Sequence, residues 1–308
     1  MAWTTTELVS RALFRAGRPD ADPDFTSAVV LTIADDVIVE RILPAIHATR
    51  EEYGVTSTDY AVTAGQADYR IPSRAAFGVI REATYIDANG LGYDLPLVDV
   101  EQIDTYATSD VSPIGHAIEG DRVVLVPEPT STSGTLRLRY YRRPSVLVAA
   151  STGSDEAPHA ITSGATTTTL TIGTHAFDEG DLIDIVQAQP PFDVLAQGIS
   201  VVNPTGTTIG IVTAVTTAAT GDYVCTAGET PVPHLPAELH AVLAIGVAAE
   251  ILRRTKDPQA GDREAEFERK LGVCVSAMQP RNHGEPPKII NRFSPLRQGR
   301  RWARRWLT

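Results

Sequence analysis

The chain predicts an α+β fold: a helical bundle built from N- and C-terminal helices, a central antiparallel β region, and an inserted small all-β domain. Three observations carry this expectation. Apolar residues recur at helical spacing near both ends of the chain. Between about residues 60 and 141 the period falls to two, with Gly-bearing turns between the runs. From about 150 to 232 the composition changes abruptly, to a stretch rich in Thr, Gly, Ala and Val that holds no Lys or Arg. The expected units are a frame over 1–150, an inserted barrel or sandwich over 151–232, C-terminal helices completing the frame over 233–280, and an extended basic tail over 281–308.

Thr4-Thr5-Thr6-Glu7 offers a capping box, and Leu8, Ala12, Leu13 and Ala16 follow on one helical face up to Gly17. After Pro19 and Pro23 a longer helix is predicted from about Phe25 to Glu52, with Val30, Ile33, Val37, Ile42 and Ile46 among its apolar positions. Pro44 lies inside it and is expected to kink it. Short strands are predicted at Tyr60–Thr63, Asp68–Ile71, Val79–Ile86 and Leu95–Val98, with Asn89-Gly90 as the hairpin turn between the last two. A second hairpin pairs Ala117-Ile118 with Val123–Val126. Leu136, Leu138 and Tyr140 alternate with Arg137 and Arg139, as a half-buried strand requires. Within the insert, Thr167–Ile172, Leu182–Val186, Ile199–Val202, Thr208–Val215 and Tyr223–Cys225 read as five strands. Helix returns after Pro236 with Leu239, Val242, Leu243, Val247 and Ile251 on one stripe. The last helix runs from Glu264 to Met278, with Phe267, Leu271 and Cys274 on one side.

A chain of 308 residues with 43% hydrophobic and 21% charged residues is ordinary for a globular protein. No apolar run approaches the roughly 20 residues that span a bilayer, and the first residues lack the basic and apolar regions of a signal peptide. Two cysteines, Cys225 and Cys274, fall in different predicted elements, which favours a reduced, cytoplasmic site of assembly. The net charge of −11 argues against a general nucleic-acid-binding surface, because phosphate contacts need Lys and Arg.

Catalytic patterns are absent from the sequence. The seven histidines are scattered, and His234 and His240 are too far apart to share one helical turn as zinc ligands. Cys274 lies on an apolar stripe. There is no phosphate-binding Gly-rich loop and no Gly-x-Ser-x-Gly elbow. Asp35-Asp36 reads as a solvated helix face, and Asp178, Glu179 and Asp181 read as a turn because their spacing misses that of calcium loops. No enzyme, cofactor or metal is expected.

The end of the chain carries the opposite charge. Residues 281–308 hold eight Lys/Arg and one acid, a net +7; with the chain at −11, residues 1–280 sum to −18. Pro286, Pro287 and Pro295 break most of this segment. The candidate docking residues are Arg297, Arg300, Arg301, Trp302, Arg304, Arg305 and Trp306. Trp302 and Trp306 are four apart, so a short helix would place them on one face beside arginines. Arg and Trp dominate interface hot spots. The segment is expected to be disordered alone and ordered by a partner; a merely solvated basic tail is the plain alternative.

Two stretches carry a family resemblance. The first is Asp68-Tyr69-Arg70-Ile71-Pro72-Ser73-Arg74-Ala75, with Ile80–Asp87 and the Asn89-Gly90 turn. The second is Leu235-Pro236-Ala237-Glu238-Leu239-His240 opening a helix, followed by another helix and Pro280-Arg281 with its basic tail. Together they resemble the head–tail adaptor (connector) proteins of tailed bacteriophages, particularly the tail tubular protein A type. The likeness covers about residues 1–145 and 235–308 and leaves the insert unexplained. It implies a virion structural protein of the neck, assembled in the host cytoplasm. Its expected partners are the portal protein, the next tail component (nozzle or tail tube) and copies of itself in a dodecameric ring. DNA passes through such a ring without specific binding, and no membrane is involved. An acidic body suits that channel, since like charge opposes adhesion. The rival reading is another tail or baseplate protein whose insert binds a host surface. The Pro-rich edges of the insert also lead us to expect that the frame folds without residues 152–232.

Overall fold

The structure, a computed structural model, describes residues 3–50, 52–99, 112–149 and 158–278. The expected start of the insert at 151–157 and the whole basic tail therefore lie outside the described residues.

Helix α1 (Thr5–Arg15) begins on the expected capping box: the Thr4 hydroxyl accepts from the Glu7 N–H and the Glu7 carboxylate accepts from the Thr4 N–H. The long second helix is more articulated than its spacing predicts. It consists of α2 (Ser27–Val37), a π turn (Ile38–Ile42) and α3 (Leu43–Thr49). Pro44 explains the change. It has no N–H to give to Glu40 and its ring crowds that carbonyl, so the ladder shifts by one residue and the Leu43 N–H reaches back to the Ile38 carbonyl. Helices α4 (Ala237–Arg254) and α5 (Ala260–Ala277) follow near the other end of the described chain. Leu8, Leu13, Ile33, Ile42, Leu243, Ile251 and Phe267 are fully buried in one apolar core that draws on all five helices. Each such side chain contributes about 1.5–3 kcal/mol relative to exposure.

The central β region forms two antiparallel sheets over one core. Strands β1 (Val55–Ala61), β2 (Asp68–Arg70), β3 (Glu82–Ile86), β4 (Gly92–Leu95), β5 (Gly115–Glu119), β6 (Arg122–Val126) and β7 (Thr135–Tyr141) assemble in the orders β1-β7-β3-β4 and β2-β6-β5. In β7, Leu136, Leu138 and Tyr140 are buried as the alternation demands. The intervening arginines meet the acids directly opposite, Arg137 with Asp59 at 2.8 Å and Arg139 with Glu82 at 2.7 Å. Strand β3 starts at Glu82, later than the expected Val79, because a 3-10 turn occupies Ala76–Gly78.

The Thr-rich stretch builds a six-stranded sheet with its own core. Its strands are β9 (His159–Ala160), β10 (Thr169–Thr171), β11 (Leu182–Val186), β12 (Val194–Val202), β13 (Thr208–Ile211) and β14 (Tyr223–Thr226), in the order β10-β13-β12-β11-β14-β9. An antiparallel bridge from Ser163, just after β9, to Thr171 of β10 joins the two edges, so the sheet closes on itself. The sequence missed β9. It also stretched β13, because Thr and Val continue past the last paired residue.

A short parallel pair ties this sheet to the rest. Strand β8 (Val146–Leu147) runs beside β15 (Glu229–Thr230). The Val146 N–H donates to Gly228 and the Val148 N–H to Thr230, while the Thr5 N–H donates to Pro231. A cut at residue 232 would strip acceptors from α1 and β8. Gly228 to Pro231 thus serve the frame, although composition assigns them to the insert.

Candidate docking site and its support

The seven tail residues singled out for docking, Arg297 through Trp306, lie outside the described residues, so the structure places none of them. The described residues instead define what holds the helices, the β sandwich and the closed sheet together, and which side chains they leave in solvent.

His240, on the first turn of α4, is fully buried where these parts meet. Its Nδ1 accepts from the Trp3 N–H at 3.3 Å, and its Nε2 faces the carbonyls of Pro233 and Leu235 at 3.2 and 3.1 Å. That arrangement fits a neutral ring with the proton on Nε2, and burial lowers its pKa accordingly. Phe192, from the β11–β12 connection, lies 5.1 Å from the His240 ring. The Tyr53 hydroxyl donates to the His234 carbonyl at 3.1 Å. The His234 ring meets Thr230 Oγ1, and burial, aided by Arg142 and Arg74, pushes its pKa down to about 3. The two histidines read as scattered are therefore neutral clasps.

A second clasp centres on Asp184, which is fully buried on β11. Strand β12 carries an extra residue opposite it, a bulge with Gly198 at φ +58°. One Asp184 oxygen accepts from the Gly198 N–H at 2.8 Å. The other accepts from Gly228 at 2.9 Å and lies 4.0 Å from the Arg74 guanidinium, which also donates to Ser145. Arg142 pairs with Asp193 at 3.0 Å. Asp35, read as a solvated face, has both oxygens on the Leu147 N–H, and burial pushes its pKa up to about 6. Asp36 beside it is exposed and 3.9 Å from Arg254.

These pKa directions predict a pH response. His234, His240 and His116 are all lowered in the fold, so the unfolded chain takes up protons that the folded chain refuses as pH falls below about 6.5. Asp35 acts in the opposite sense: its raised folded pKa lets the fold gain a proton first, between about 6 and 3.8. Thermal melts from neutral to mildly acidic pH should show falling stability. Asp35→Asn should be more stable than wild type at neutral pH, by on the order of 1–2 kcal/mol for a partly solvated group, and should fall more steeply with acid. Parallel slopes for the two proteins would overturn the assignment.

The outer surface carries unpartnered apolar groups. Phe14, off the buried stripe of α1, is 82% exposed, and Phe77, in the 3-10 turn, is 96% exposed. The sequence signal for Phe14 was its position outside the Leu8–Ala12–Leu13–Ala16 stripe. Phe77 had none. Both cysteines are free, Cys225 buried and Cys274 half-buried. Among the described residues no group of three or more His, Cys, Asp or Glu is arranged to hold a metal, and no helix is long and apolar enough to cross a membrane. The Asp178–Asp181 run is closed by its own hydrogen bonds, the Asp178 N–H to Asp181 Oδ2 and the Asp181 N–H to the Asp178 carbonyl.

The described residues thus show helices, β sandwich and closed sheet clasped by buried polar groups, with Phe14 and Phe77 left in solvent. The SU10 adaptor protein family matches residues 3–166, and the chain belongs to that family. The family is one of structural bacteriophage adaptors, not of enzymes. The match takes in α1 to α3 and the whole β sandwich, and ends inside the Thr-rich sheet. None of the curated proteins compared with the chain matches it.

Proposed function

We propose that this chain is a head-to-tail adaptor of the tail tubular protein A type. It forms a ring below the portal, extends the DNA channel, and offers the platform on which the next tail component is built. The observation that carries the reading is the family match over residues 3–166. The charge division supports it: a −18 body can pass DNA without binding it, while a +7 tail with two Trp can grip a protein. In this reading 1–150 and 233–280, together with Gly228 to Pro231 that pair with β8 and α1, form the ring-building frame. The rest of 151–232 is an outward decoration, and 281–308 docks on the portal or between adjacent subunits.

Truncation after Pro295 tests the docking role, with binding to portal and to duplex DNA measured separately. The truncated protein should lose portal affinity, and the loss should persist at high salt because buried Trp resists screening. If the tail instead holds DNA through five arginines, wild-type binding to duplex should fall with salt at a log–log slope of roughly −4 to −5. Full portal assembly by the truncated chain would overturn the docking role. Images of the particle neck test the ring, and a net basic inner wall would count against the channel.

A further inference from the structure

We propose that the Phe77 turn is a knob by which one copy of this chain seats in a groove on the next; this rests on the ring reading above. Phe77 is 96% exposed and sits at φ +57°, a left-handed conformation that bulky residues avoid. Gly78 follows at φ +66°, and Val79 is 55% exposed. Within one chain the Phe77 ring gains no burial from this arrangement, and its backbone is strained. Strain held in this way marks a site with work outside the monomer.

The turn is held stiffly. The Ala75 N–H donates to Pro72 at 2.8 Å, the Val79 N–H to Ala76 at 3.2 Å, and the Arg143 N–H to Arg74 at 2.7 Å. A bridge joins Ala75 to Arg142. A preformed knob loses little freedom on docking.

The socket is on the same chain, at the other end of β7. Ala75 lies beside Arg142, just past the C-terminal end of that strand. Past its N-terminal end, Gly65, Ala67, Val124, Val126, Pro127 and Pro129 line a shallow groove of about 540 Å³. The seven residues of β7 separate the two by roughly 20 Å. A knob and a socket at opposite ends of one body make a head-to-tail contact, which propagates from copy to copy and closes into a ring when the rotation permits. Charge agrees with this pairing. Arg143 is exposed beside the knob and Glu128 is exposed at the groove, and neither has an ion-pair partner among the described residues. The apolar knob makes a phosphate-bearing partner a poor fit.

The test uses the full chain in sedimentation velocity from micromolar to millimolar concentration. Phe77→Gly removes the knob and also relieves the left-handed strain, so its melting temperature should equal or exceed that of wild type. Its self-association should weaken at least about tenfold. Arg143→Glu should weaken association, and adding Glu128→Arg should restore it. Unchanged association of Phe77→Gly would overturn the knob while leaving the ring reading intact. A wild-type chain that stays monomeric at millimolar concentration would also overturn it, and particle images would then judge the ring separately.

Discussion

Replacing Gly246 by valine is expected to destabilise the helical core by about 3 kcal/mol or more, near the upper end for overpacking. Gly246 sits mid-way along α4, where α2 and α5 both press against it. A Cβ there would lie 2.7 Å from Phe267 Cε2 and 2.9 Å from Val37 Cγ1. Neither neighbour has room to retreat. The Phe267 ring is fully buried, and the Arg41 guanidinium stacks on it at 4.3 Å while binding Glu264 and Glu268. Even alanine should cost stability here, although it improves helix propensity by about 1 kcal/mol. The control is Gly272→Ala on α5, where an added Cβ meets nothing within 4 Å, and which should be neutral or stabilising. Thermal melts of the three variants decide the matter. A Gly246→Val protein that melts with wild type would mean that the three helices do not meet as closely as described.

Asp184→Ala should be comparably severe, at about 3–5 kcal/mol, for a different reason. The carboxylate is the acceptor for two buried N–H groups, Gly198 and Gly228, and the nearest acid to Arg74. Its removal leaves the donors unsatisfied and a largely buried cation uncompensated. Because Gly228 also feeds the β8–β15 ladder, the loss should reach the frame. Hydrogen exchange should quicken at Gly198, Gly228 and Val146 together, ahead of global unfolding. A fall of less than about 1 kcal/mol, or exchange confined to Gly198, would show that the clasp is local.

Much of the secondary structure was legible because it depends on spacing. The α1 capping box, the stripes of α4 and α5, the alternation in β7 and the Asn89-Gly90 turn are each written in neighbouring residues. The misses have the opposite character. The β8–β15 pair joins residues about 80 positions apart, and strands of two residues leave no period to read. The π turn needs Pro44 to be read as a register shift and not as a break. The candidate site divides in the same way. A basic, Trp-bearing tail is visible as composition, whereas Phe77 becomes notable only once its exposure and its left-handed backbone are known.

The sequence by itself determined that this protein has helices near both ends with antiparallel sheet between them, and an acidic body with a basic tail, because period and charge are sums over local residues. It also held the adaptor likeness, as a pattern over the frame. Only the tertiary structure decided that His234 and His240 are neutral clasps, that Asp184 ties a bulge to the frame, that Gly228 to Pro231 belong with β8 and α1, and that Phe77 stands in solvent. Each of these depends on which distant groups come to share a dry or a wet environment. That is settled by packing, where a few ångströms separate a satisfied buried carboxylate from an unpaired one.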